Sequence, residues 1–126
     1  MNCFTIHAKL PSLNDVISRD RANRFAGATY KKDTEKVISR YIQLAMKTGE
    51  LKPVSKPCTV RIDWYEKTRR RDVDNVQSAQ KFILDALVNN GVLPDDSRKY
   101  VTQIYHTVHD SDENKVSVTL ETEVIT

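Results

Sequence analysis

The alternation in CTVRIDWYE, residues 58–66, constrains this chain most. Cys58, Val60, Ile62 and Trp64 face one way; Thr59, Arg61, Asp63 and Tyr65 face the other. Such a period of two makes a strand with one apolar and one polar face. Something must cover the apolar side, and two helical stretches are available to do it. From about Tyr30 to Thr48, Val37, Tyr41, Leu44 and Ala45 fall on one helical stripe with Ile38 and Ile42 alongside, and Gly49 stops the helix. From about Asp74 to Asn90, Val76, Phe82, Ile83, Ala86 and Leu87 supply a second apolar face, ended by Asn89-Asn90-Gly91.

Three further strands are expected: 3–9 (CFTIHAK), 100–108 (YVTQIYHTV) and 115–124 (KVSVTLETEV). Asp110-Ser111-Asp112-Glu113-Asn114 reads as a hairpin turn joining the last two. Residues 15–29 show no clean period and read as a long loop carrying Arg19, Arg21 and Arg24. The order β-α-β-α-β-β predicts a small α+β domain, with two helices on a mixed four-stranded sheet. At 126 residues the chain makes one domain, 1–126, able to bury a core without disulfides. Its two cysteines, Cys3 and Cys58, both sit in strand-like runs and read as reduced core residues. No apolar run approaches the ~18 residues of a membrane span, and the N-terminus lacks the pattern of a signal peptide. A cytoplasmic, soluble protein is expected.

One stretch belongs in neither core nor ordinary loop: Arg69-Arg70-Arg71-Asp72-Val73-Asp74-Asn75. Asp72 and Asp74 repel one another unless a cation or the arginines screen them. Paired carboxylates suit a hard divalent cation such as Mg²⁺, and clustered arginines suit phosphates. A second pair, Asp95-Asp96, follows across the second helix. Charge changes sign at the motif. Residues 1–71 hold sixteen Lys/Arg against seven Asp/Glu; residues 72–126 hold four against ten. The basic half reads as a footprint for nucleic acid, although Lys31, Lys32 and Lys36 are also accounted for as the solvated face of a helix.

Other aspartate chemistries fit poorly. A calcium loop opening at Asp72 needs Gly and Glu where Gln77 and Ile83 stand. The three glycines, Gly27, Gly49 and Gly91, make no phosphate loop, and two distant cysteines make no cysteine-rich zinc site. His7, His106 and His109 read as packing or surface residues. A helix of about seventeen residues would be about 25 Å long. Asp95-Asp96 can therefore meet Asp72 and Asp74 only if the following loop folds back, or if the site forms across two chains. Lys81 lies two turns beyond Asp74 on the same stripe, with Asp85 at i+4 as an ordinary helix partner.

R-R-R-D-V-D-N, then K-F-I-L-D-A-L, then G-V-L-P-D-D, in this order and spacing, resembles the RusA family of Holliday junction resolvases, common in bacteria and their prophages. The resemblance implies a homodimer that nicks four-way DNA junctions symmetrically with Mg²⁺ or Mn²⁺ during recombination and repair. It matches Asp72, Asp74 and Asp96 to the family's essential aspartates and Lys81 to its essential lysine. Ser78 stands where simple counting from Asp74 would put that lysine. Arg69, Arg70 and Arg71 would grip phosphates, and Arg19, Arg21 and Arg24 would touch DNA arms. A non-catalytic basic DNA-binding protein is the rival reading, separated from the first by metal-dependent nicking.

Overall fold

The computed structural model describes residues 2–11, 24–67 and 79–122, with side chains of the first helix from residue 31 onward. Its elements are β1 (Cys3–Ile6), α1 (Arg24–Thr48), β2 (Cys58–Glu66), α2 (Gln80–Asn89), β3 (Val101–Asp110) and β4 (Lys115–Thr122). The α+β order and the mixed four-stranded sheet agree with the sequence reading. The strands lie in the order β1-β4-β2-β3. β4 is antiparallel to both β1 and β2, and β3 is parallel to β2.

This pairing corrects the expected hairpin. β3 and β4 are not neighbours; the end of β2 lies between them. Residues 111–114 arch over that end. Ser111 donates its backbone N–H to Glu66 O at 3.0 Å, and Lys67 N–H donates to Asn114 Oδ1 at 2.8 Å. A turn-forming cluster between two strands fixes a reversal of direction, not which strands pair.

β2 fulfils its pattern: Cys58, Val60, Ile62 and Trp64 are buried against the helices, and Glu66 continues that face as a buried charged residue. From β3, Ile104 and Val108 pack beside them. α1 begins at Arg24, so residues 24–29 belong to a helix rather than to a loop. Gly27, which weakens a helix interior by about 1 kcal/mol, obscures the period there. The buried stripe of α1 is Thr34, Ile38, Ile42 and Ala45; Leu44 is 59% exposed. The apolar arc is therefore rotated one residue from the expected line, and Val37 and Tyr41 sit on its margin. Lys31, Lys32 and Lys36 are exposed on the opposite side, as a solvated face predicts.

α2 is shorter than expected. It begins at Gln80, with Ala79 at its N-cap and no side-chain capping bond. The helix start read at about Asp74 therefore moves to Gln80, and Asp72 and Asp74 lie outside the described residues. Its buried residues, Phe82, Ile83, Leu84, Ala86 and Leu87, all fall within 82–87, where the apolar face is dense enough to pay for ordering. At the other end Gly91 takes φ +74°, a left-handed conformation that glycine adopts without strain. Asn90 joins the two helices there: its Nδ2 donates to Ala86 O at 2.7 Å and to Ser39 Oγ at 2.9 Å. Its Oδ1 accepts from Gln43 Nε2 at 3.0 Å.

Both cysteines are free, Cys58 buried and Cys3 half-buried. Among the described residues no helix is long and apolar enough to cross a membrane.

Candidate active site

β2, α2 and β3 form a parallel crossover unit, and this decides where the acidic pairs attach. The chain leaves β2 at Glu66, level with Asp110, on its way to Arg69–Asp74. It enters β3 at the other end, where Val101 is level with Cys58. Asp95 and Asp96 lie in the turn just before that point. Tyr100 and Val101 donate their N–H groups to Ser97 O at 3.0 and 2.9 Å, and Cys58 N–H donates to Tyr100 O at 2.8 Å. The segment after α2 passes directly to this end of the sheet; Val54 N–H meets Val92 O at 2.8 Å on the way. It does not return along the helix toward Gln80.

The two members of the second pair have different surroundings. Asp95 Oδ1 accepts Ser97 N–H at 2.7 Å, closing an Asx turn. The hydrogen bonds from Ser97, with Lys99 nearby, hold its carboxyl below the usual carboxylate range. Asp95 therefore shapes the turn, and Asp96 is presented beside it as an exposed carboxylate. Carboxylate oxygens are the donors a hard divalent cation takes, so Asp96 is chemically suited to one. Among the described residues no three His, Cys, Asp or Glu side chains converge as a metal-holding group. Asp72, Asp74, Arg69, Arg70 and Arg71 lie outside the described residues, as do Ser78, Arg19 and Arg21, and Arg24 is described only as the first backbone position of α1.

Lys81 sits in the first turn of α2. Its side chain is 74% exposed and its Nζ lies 3.2 Å from Asp85 Oδ1. This is the ordinary i,i+4 contact the spacing predicts, worth a few tenths of a kcal/mol.

His106 and His109 point to opposite faces of the sheet, so they make no joint metal site. On the uncovered face, His109 Nε2 lies 2.9 Å from Asp63 Oδ1 and its ring stacks on Tyr65. The Arg61 guanidinium donates to Glu121 at 2.8 Å and lies over the Tyr105 ring. Lys115 pairs with Glu113 at 2.9 Å. Among the described residues of this face, Arg61 and Lys115 each have a carboxylate partner.

On the covered face the arrangement is different. Trp64 Nε1 donates to His106 Nδ1 at 2.9 Å, and the two rings stack. His106 Nε2 lies 2.7 Å from Gln80 Oε1, at the first residue of α2. Burial pushes the His106 imidazolium to a lower pKa than usual. From sequence His106 reads as a packing or surface residue, because its partners are 42 and 26 residues away. Only the period-two register, which puts it on the covered side with Ile104 and Val108, hinted at this role.

Compared with known families, residues 15–121 match the family described as Endodeoxyribonuclease RusA. The matched span contains all three sequence blocks and both acidic pairs. No curated protein matches the chain.

Proposed function

The chain belongs to the RusA endodeoxyribonuclease family, and from that premise we propose that it resolves four-way DNA junctions by paired, metal-dependent nicks, acting as a homodimer. The observation that carries the reading is the family match across 15–121, which takes in R-R-R-D-V-D-N, K-F-I-L-D-A-L and G-V-L-P-D-D together. Asp72, Asp74 and Asp96 would hold Mg²⁺, with Mn²⁺ as a substitute. When bound, such a cation supplies an activated water and neutralises charge on the phosphate. Arg69, Arg70 and Arg71 bind neighbouring phosphates and offset the negative field of the aspartates. Arg19, Arg21 and Arg24 extend the contact along the DNA arms. Lys81, released from Asp85 when a phosphate approaches, stabilises charge that develops in the transition state.

The parallel crossover favours a site shared by two copies. A nine-residue strand such as β2 is about 26 Å long at ~3.3 Å per residue. A site within one chain would need residues 67–72, at most ~21 Å when fully extended, to run back along most of that strand. In the shared arrangement Asp72 and Asp74 of one copy are completed by Asp96 of the other. A two-fold pair places two such sites on an approximately two-fold junction.

The test is incubation with a four-way junction and a matching linear duplex, with and without Mg²⁺. Paired nicks in the junction alone, dependent on the cation, are expected. Junction binding without nicking under every metal condition would leave only a DNA-binding protein. Mixing Asp74→Asn with Asp96→Asn then examines the shared site. Mixed dimers carry one site with both changes and one intact site, so nicking of a single strand returns. If each chain holds a complete site of its own, every site in the mixture is broken and no nicking returns.

A further inference from the structure

We infer that His106 is a positioning residue for cleavage: through Gln80 it fixes the start of α2, and hence the end of the segment that carries Asp72 and Asp74. The inference rests on the endonuclease reading above for its consequence, but on contacts alone for its geometry.

Indole Nε1 is only a donor. Trp64 Nε1 at 2.9 Å from His106 Nδ1 therefore requires Nδ1 to be the unprotonated, accepting nitrogen. A neutral imidazole then carries its proton on Nε2, which faces Gln80 Oε1 at 2.7 Å. One tautomer satisfies both contacts, and the chain Trp64–His106–Gln80 has a single direction. Trp64 is 1% exposed, so the sheet end of the chain cannot drift. The other end is the first residue of a helix whose N-cap, Ala79, makes no side-chain bond. Ala79 offers no side-chain cap, and His106 ties the helix start to a neighbouring strand instead. Asp74 lies six residues before Gln80, and Lys81 is the next residue. Groups held by a few residues of chain need such an anchor, since small misplacements of reacting groups cost large factors in rate.

Two variants test this. Gln80→Met keeps length and helix propensity but removes the acceptor. Gln80→Glu keeps an acceptor for Nε2–H. In Gln80→Met, amide hydrogen exchange over residues 79–84 is expected to rise severalfold, with β2, β3 and α1 unchanged. At saturating junction, its kcat should fall by about tenfold or more, with junction Kd within about twofold of wild type. Gln80→Glu should restore both protection and rate. Wild-type exchange in Gln80→Met, or wild-type kcat despite lost protection, would overturn the inference. A fall in kcat accompanied by general loss of protection would also overturn it, by reducing His106 to a folding role. A wild type inert on every junction would instead sink the endonuclease reading, while the exchange experiment would still decide whether His106 anchors α2.

Discussion

Asn90, at the end of α2, donates its side-chain amide to Ser39 on α1 at 2.9 Å. The same side chain caps Ala86 O and accepts from Gln43. One residue thus ends a helix and ties it to its neighbour. Asn90→Ala removes the side-chain cap and takes from the half-buried Ser39 hydroxyl its donor, while Ala86 O keeps the backbone N–H of residue 90. A loss of about 1–2 kcal/mol is expected, read as a lower urea midpoint with unchanged slope. Trp64, the single tryptophan, provides the signal.

His106 makes stability depend on pH in a defined direction. Its folded pKa is lowered by burial, whereas the unfolded chain keeps the ordinary value of about 6.5. The unfolded state therefore binds the proton first as pH falls. The contribution of neutral His106 is complete above the unfolded value. It is lost progressively below it, until the folded pKa is reached. Protonated Nδ1 would also oppose Trp64 N–H, donor against donor. Thermal melts from pH 8 to 5 should show a steeper acid loss in wild type than in His106→Phe. Equal slopes would remove His106 as the cause.

Asp95 and Asp96 should respond differently to the same change. Asp95→Asn keeps an oxygen to accept Ser97 N–H, so the turn and nicking should survive with little loss. Asp96→Asn removes a proposed ligand's charge. Cleavage should fall by at least the roughly 10–100-fold that disturbing even a ligand's support costs, with junction binding retained. Matching losses in the two variants would contradict the assignment of Asp96 alone.

The arginines should act on affinity rather than on choice of sequence. Arg69→Ala and Arg70→Ala should weaken binding to all junctions alike. Each should reduce the slope of log K against log salt by about one. A changed cutting preference at unchanged affinity would be the wrong outcome for phosphate contacts.

Local periods carried much of the fold. The limits of β2 and the buried residues Phe82, Ile83, Ala86 and Leu87 were readable because burial there follows one element's own repeat. Strand order was not, because alternation in 101–110 and 115–122 says nothing about which edge each strand joins. Gly27 hid six residues of α1, and Leu44 lay just past the edge of the buried arc. In the site, two aspartates in sequence look equivalent; the Ser97 hydrogen bond separates them. The Trp64–His106–Gln80 chain was invisible because it joins three elements far apart along the sequence.

The place of β4 governs when the protein can come into being during synthesis. It is the last of the four strands to leave the ribosome, yet it lies inside the sheet between β1 and β2. β1, made first, pairs only with β4 among the strands. It must therefore wait, with its ladder groups unpaired, until residues 115–122 emerge. A nascent chain halted before that point can form the β2-α2-β3 unit but cannot close the sheet. Closure of the sheet is set by the emergence of residues 115–122, and a ribosome stalled in the arch at 111–114 would leave β1 stranded beside a half-built sheet.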